Sequence, residues 1–132
     1  AKLACNACHQ VSGVGGLVGP ELTSIGSTLS AERIIEELLW PDRQIKEGYT
    51  PVEVNTKDDR IFIGYDRTAL QRPEQGLLVL QDTVSAKLIQ INQEEIRTSK
   101  KLRSLMPQGL TDNLSEKELA HLVHYLTQLG TQ

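Results

Sequence analysis

Apolar residues recur at helical spacing in two stretches of this chain and alternate at strand spacing between them. Ile34, Ile35, Leu38 and Leu39 form the first helical stripe, with Ser30 placed to cap it and Pro41 to stop it after Trp40. The second stripe, Leu119, Leu122, Val123, Leu126 and Leu129, has the stronger signals. Ser115 and Glu118 read as a capping box, Leu114 and Leu119 as a hydrophobic staple, and Gly130 as the C-terminal stop. In the middle, Val52 and Val54 alternate with Glu53 and Asn55. The polar turn Lys57-Asp58-Asp59-Arg60 separates them from Ile61, Phe62, Ile63 and Tyr65. A second turn over residues 72–76 leads to apolar residues 77–80, and Gln81-Asp82-Thr83 precedes Leu88, Ile89 and Ile91. Short strands with turns between them predict an antiparallel meander over about residues 50–93. Near the start, four glycines within residues 12–19 oppose a helix and predict a nearly uncharged loop ending at Pro20.

At 132 residues the chain fits one domain with a moderate core. A net charge of −3 predicts neither nucleic-acid nor strong membrane binding. No apolar run approaches the length of a membrane span. With 39% hydrophobic residues but one Trp, three Tyr and one Phe, the chain is poor in aromatic mass of its own.

The chemistry concentrates in residues 5–9, Cys-Asn-Ala-Cys-His, which use both cysteines and one of three histidines. C-x-x-C-H is the signature of covalent c-type haem attachment. Cys5 and Cys8 can each add to a vinyl group of one porphyrin, and His9 is then held under the iron as an axial ligand. A buried porphyrin would supply the large flat apolar body that the aromatic residues do not. Met106, His121 and His124 are the side chains able to supply the opposing ligand. At roughly 100° per residue, His121 and His124 fall away from the apolar face of their helix and toward solvent. Met106 sits in Leu105-Met106-Pro107-Gln108-Gly109, a loop whose shape Pro and Gly restrain, which makes it the expected sixth ligand.

The order C-x-x-C-H, Gly19-Pro20-x-Leu22, Met loop, and a last helix bearing Tyr125-Leu126 resembles class I cytochrome c. A narrower resemblance covers almost the whole chain. Gly19-Pro20-Glu21-Leu22-Thr23, Gly48-Tyr49, the strand pair around residues 57–60 and Ser104-Leu105-Met106-Pro107-Gln108-Gly109-Leu110 resemble the Planctomycetes–Verrucomicrobia-type haem-binding domain. The resemblance implies a mainly α, cytochrome c-like fold, with a small antiparallel β insertion between the central helix and the Met loop. It implies one covalent haem c, electron transfer rather than catalysis, and a hydrogen bond from the His9 imidazole to the Pro20 carbonyl, which would orient the ring. The expected partner is a redox protein, with a sugar-dehydrogenase-like domain of the same longer protein as a candidate donor. Because haem attachment takes place outside the cytoplasm, the expected location is periplasmic or otherwise extracytoplasmic.

Class I cytochromes lead into the motif with a helix, whereas only residues 1–4 precede Cys5 here. That helix is expected to be about a turn long or to lie upstream, since the chain starts at Ala1 and its one Met is Met106. Trp40 and Tyr49 pair an apolar body with a polar tip, suited either to haem propionates or to ordinary packing. Arg97, Lys100, Lys101 and Arg103 read either as a solvated face or as a surface that steers an acidic partner.

The rival readings are weaker. A Cys₂His₂ zinc module would combine Cys5 and Cys8 with His121 and His124, but their separation is far too long for a finger and His9 would be idle. A thioredoxin-like C-x-x-C must open a helix within a βαβ unit, and Gly13, Gly15 and Gly16 oppose one. A haem peroxidase or gas sensor needs an open distal site, which a restrained Met106 would close.

Overall fold

The structure, a computed structural model, describes residues 4–131. Whether residues 1–3 retain part of a leading helix lies outside the described residues. In chain order the regular elements are β1 (Gln10–Val11), β2 (Val14–Gly15), α1 (Ile25–Thr28), α2 (Ala31–Leu39), β3 (Val52–Thr56) and β4 (Ile61–Asp66). They continue with α3 (Thr68–Gln71), β5 (Leu77–Asp82), β6 (Leu88–Asn92), β7 (Ile96–Lys101) and α4 (Glu116–Gln128). The chain divides into two compact units, one made of Ala1–Ile45 with Met106–Gln132 and the other of Lys46–Leu105.

In the first unit, α2 and α4 form where their periodicity predicts. The Ser30 hydroxyl accepts the Arg33 amide at 3.3 Å, and Arg33 pairs with Glu36 and Glu37 one turn on. Ser115 and Glu118 make both bonds of the capping box, and Gly130 takes φ +79 just past the end of α4. Ile34, Leu38, Val123 and Leu126 are buried between the two helices. The one-turn α1 packs backbone to backbone on the end of α4. The Gly26 amide donates to the Leu129 carbonyl at 2.9 Å, and a Cβ on Gly26 would come 2.3 Å from the Thr127 carbonyl oxygen. Only a residue without a side chain permits that approach.

The second unit is a five-stranded antiparallel sheet in the order β6-β5-β4-β3-β7. Its register places Val54 opposite Phe62, and Leu80 opposite Ile89, on one face. Val54, Leu80 and Ile91 form the core there, with Val52, Phe62, Leu78, Ile89 and Ile96 packed around them. β6 and β7 lie at opposite edges yet are joined by the single turn Gln93–Glu95. The short turn brings the end of β6 to the start of β7, and the apolar side chains of one face pack together. Polar side chains fix the hairpin turns. The Asp82 carboxylate accepts the amides of Val84 at 2.7 Å and Ser85 at 2.8 Å, and these bonds, Ser85 first, hold its pKa below the ordinary value. The buried Thr56 hydroxyl bonds Asp58, and this, with Arg60 beside it, lowers the Asp58 pKa.

These elements correct the expected fold class. The chain is a mixed α/β protein, 28% helical and dominated by its five-stranded sheet, and not mainly α or cytochrome c-like. The sheet is not a small insertion ending near residue 93, because β7 extends it to Lys101. Two of the four α-helices among the described residues, α1 and α3, have only four residues each. The physical reason is that strand-period segments outnumber helix-period ones, and each strand finds an antiparallel neighbour. No helix among the described residues is long and apolar enough to cross a membrane.

Candidate functional site

The Cys-Asn-Ala-Cys-His segment opens with a tight 3-10 turn, Cys5–Ala7, in which Cys8 and His9 both donate backbone amides to the Cys5 carbonyl. Both thiols are free, that of Cys5 half-buried and that of Cys8 exposed. Beside them the glycine-rich loop folds into the β1–β2 hairpin, with Gln10 opposite Gly15 and Val11 opposite Val14. The loop lies backbone to backbone on the cysteine turn. The Gly16 amide donates to the Asn6 carbonyl at 2.9 Å, and a Cβ at Gly16 would meet the Ala7 carbonyl oxygen at 2.0 Å. The glycines expected only to oppose a helix thus permit close contact with the motif.

Residues 8–10 and 19–22 are then laced together. The Gly19 amide donates to the Cys8 carbonyl at 2.7 Å, and the Leu22 amide to the Gln10 carbonyl at 2.8 Å. Between these two bonds, His9 Nδ1 lies 2.6 Å from the Pro20 carbonyl oxygen. A carbonyl can only accept, so Nδ1 carries the proton. In the neutral form of such a ring the lone pair is on Nε2, the form in which histidine ligates a metal. The contact expected for Pro20 is therefore present. Gly19 completes the cradle, since a Cβ there would lie 2.6–2.9 Å from Cε1, Nδ1 and Nε2 of His9.

Met106 lies on the same unit, half-buried against the cluster of Ile34, Leu38, Val123 and Leu126. Leu22, Ile25, Leu29, Ile35, Leu119, Leu122 and Leu129 pack around that cluster in the same half-buried state. The Met loop runs on through turns at Gly109 and Thr111 into α4. His121 and His124 are exposed on α4, as their helical positions predict. A cleft of about 480 Å³ between α2 and α4 is lined by Ala31, Ile35, Leu119, Ala120 and Val123, with Glu116, His124 and Thr127 at its border, and no residue of the cysteine–histidine segment reaches it.

The two aromatic candidates have other occupations. Trp40, at the end of α2, is 43% exposed and carries the Arg43 guanidinium 4.2 Å from its ring centre. Tyr49 belongs to the second unit, where its ring meets that of Tyr65 edge to face at 5.2 Å. Arg67 lies 5.3 Å from Tyr49 and 5.0 Å from Tyr65, and donates to the Gly48 carbonyl and the Gln81 side chain. Tyr49 is thus part of the clasp that ties residues 48–49 to the sheet. Among the basic residues, Arg97 bonds Asp59 and Lys100 stands across from Glu53 on the edge strand.

Cys5, Cys8, His9 and Met106, the residues that would hold a covalent haem, all lie on the first unit. Both thiols are free, the imidazole that follows them has Nδ1 engaged by Pro20, and the Met106 thioether is packed among apolar side chains of the same unit. Among the described residues no three His, Cys, Asp or Glu side chains converge as ligands of one ion would, so Cys5 and Cys8 are not gathered with His121 and His124 into a zinc site. Sequence reasoning passed over Ser12, Glu21 and Thr23, whose bonds fasten the Pro20 segment. Glu21 and Thr23 flank Leu22 in the stretch that carried the resemblance, and alternate polar residues beside a Gly-Pro turn were the available signal. No protein-family model matches the chain, and no curated protein is significantly similar to it.

Proposed function

We propose that this chain carries one covalently attached haem c and transfers electrons. The observation that carries the reading is the 2.6 Å contact between His9 Nδ1 and the Pro20 carbonyl, inside a C-x-x-C-H motif whose thiols are both free. Cys5 and Cys8 anchor the porphyrin as thioethers. His9, through Nε2, and Met106, through its sulfur, would be the residues that hold the iron. When bound, the haem supplies a reversible one-electron iron couple.

The protein's own contribution is orientation and tuning. The Pro20 carbonyl fixes the tautomer and rotation of His9 and raises the basicity of its ring. The soft thioether of Met106 favours reduced iron and a higher potential. The half-buried apolar side chains around Met106 lower the local polarity. The work is extracytoplasmic, where such attachment takes place, and the electron donor is a redox protein of the dehydrogenase class.

The test is the absorption spectrum of the chain, exported together with haem-attachment machinery, beside that of Met106→Ala. The reading predicts a low-spin six-coordinate haem whose methionine–iron charge-transfer band disappears in the variant. An unchanged spectrum in Met106→Ala would remove Met106 from the iron. A six-coordinate requirement that fails in the unaltered chain would favour an open-site haem protein instead.

A further inference from the structure

Next to the His9–Pro20 contact, the Thr23 hydroxyl is bonded on both sides. The Ser12 amide donates to Thr23 Oγ1 at 2.7 Å, and the Thr23 hydroxyl donates in turn to the Glu21 carboxylate. Ser12 is the first turn residue of the β1–β2 hairpin and takes φ +51, a conformation that a non-glycine residue holds only when its surroundings favour it. Its amide is turned away from the hairpin and toward Thr23. With the bonds from Gly19 to Cys8 and from Leu22 to Gln10, the Pro20 segment is fastened on both sides of its carbonyl. Glu21 and Thr23 follow Pro20 by one and three residues.

We infer that Thr23, held by Glu21, is a positioning residue that fixes the Pro20 carbonyl over His9 Nδ1. This rests on the electron-transfer reading only for its consequence, the tuning of the iron through the imidazole. The carboxylate strengthens the clasp because a hydroxyl that donates to a charged acceptor becomes a better acceptor itself. Leu22 alone would otherwise hold the far side of the segment, and the carbonyl would be free to swing away from the ring. Neither Thr23 nor Glu21 need touch the haem for this to matter.

The experiment compares Thr23→Val, Thr23→Ser and Glu21→Gln in the haem-loaded chain. The readouts are the solvent exchange rate of the His9 Nδ1 proton by NMR and the reduction potential. Thr23→Val is expected to exchange that proton about tenfold faster, the equivalent of weakening one hydrogen bond by about 1.4 kcal/mol, and to move the potential with no change in axial ligands. Thr23→Ser restores both values, and Glu21→Gln falls between. Exchange and potential in Thr23→Val indistinguishable from the parent would overturn the inference. If Thr23→Val does not fold, Glu21→Gln decides in the same two directions. A chain that binds no haem overturns the electron-transfer reading alone. The population of the Nδ1–H tautomer of His9, from ¹⁵N shifts of the three variants, then tests the clasp, which an unaltered population would refute.

Discussion

Gly19→Ala is the sharpest structural perturbation available near the candidate site. The added methyl would stand over the face of the His9 ring, 2.6 Å from Cε1, 2.8 Å from Nδ1 and 2.9 Å from Nε2. Ordinary carbon contacts begin near 3.5 Å, so the ring must retreat by roughly 0.9 Å. Retreat is opposed by the bond to Pro20 and by the amide of Gly19 itself, which is tied to Cys8. Overpacking of this kind costs about 1–3 kcal/mol, and loss of one hydrogen bond about 0.5–1.5 kcal/mol more. Gly19 does not occupy the left-handed region, so alanine recovers about 0.4–1 kcal/mol by restricting the unfolded chain. The net expectation is a destabilisation of about 0.5–4 kcal/mol, with a shift of the His9 tautomer away from Nδ1–H. Gly76→Ala is the control: its Cβ meets nothing within 4 Å, but φ is +89, so only backbone strain of about 1 kcal/mol is expected. Urea denaturation followed by circular dichroism measures both, and ¹⁵N shifts report the tautomer. A Gly19→Ala chain within about 0.5 kcal/mol of the parent, with an unaltered His9 tautomer, would refute the cradle.

Three further outcomes follow from the two cores and their polar fastenings. Leu80 is fully buried in the sheet core, so Leu80→Ala should cost about 2–5 kcal/mol in urea denaturation. Ser115→Ala removes half of the capping box of α4 and should cost about 1 kcal/mol, with an accompanying loss of helical dichroism. The amides of Ser85 and Val84 depress the Asp82 pKa, so the folded chain binds that proton less readily than the unfolded one. The stabilisation is complete above the unfolded value near 3.8 and is lost as pH falls through the lower folded value. Between pH 6 and pH 3 the parent should therefore lose more stability than Asp82→Asn, and equal losses would show that the turn does not depend on the charge.

Much of this architecture is legible in the pattern of residues, and the parts that are not share a cause. The helices α2 and α4 are announced by periodicity together with Ser30, Ser115 and Glu118, because burial on one face and capping at one end are local demands. The strands β3 to β6 are legible because one of their faces is apolar, whereas the β1–β2 hairpin forms where the glycines predict only a loop. β7 is not legible, since Arg97-Thr98-Ser99-Lys100-Lys101 is exposed along its length and is held by pairing with β3 rather than by apolar burial. Without β7 the strands read as a small insertion in a mainly α chain, an expectation that the structure overturns. At the site, Cys5, Cys8, His9 and Pro20 are picked out by spacing and resemblance, and the structure sets His9 against the Pro20 carbonyl. Tyr49 is not, because its partners Tyr65 and Arg67 come from a strand and the turn after it. The same holds for Ser12 and Thr23, which are eleven residues apart and meet only after the glycine loop folds back.

The most direct test of the central claim is the intact mass of the exported chain after acid–acetone extraction, taken together with its Soret absorption. Covalent attachment at Cys5 and Cys8 predicts a mass equal to the polypeptide plus one haem and a Soret band that stays with the protein. A colourless chain with the mass of the polypeptide alone, produced beside a c-type cytochrome that does acquire haem, would contradict it.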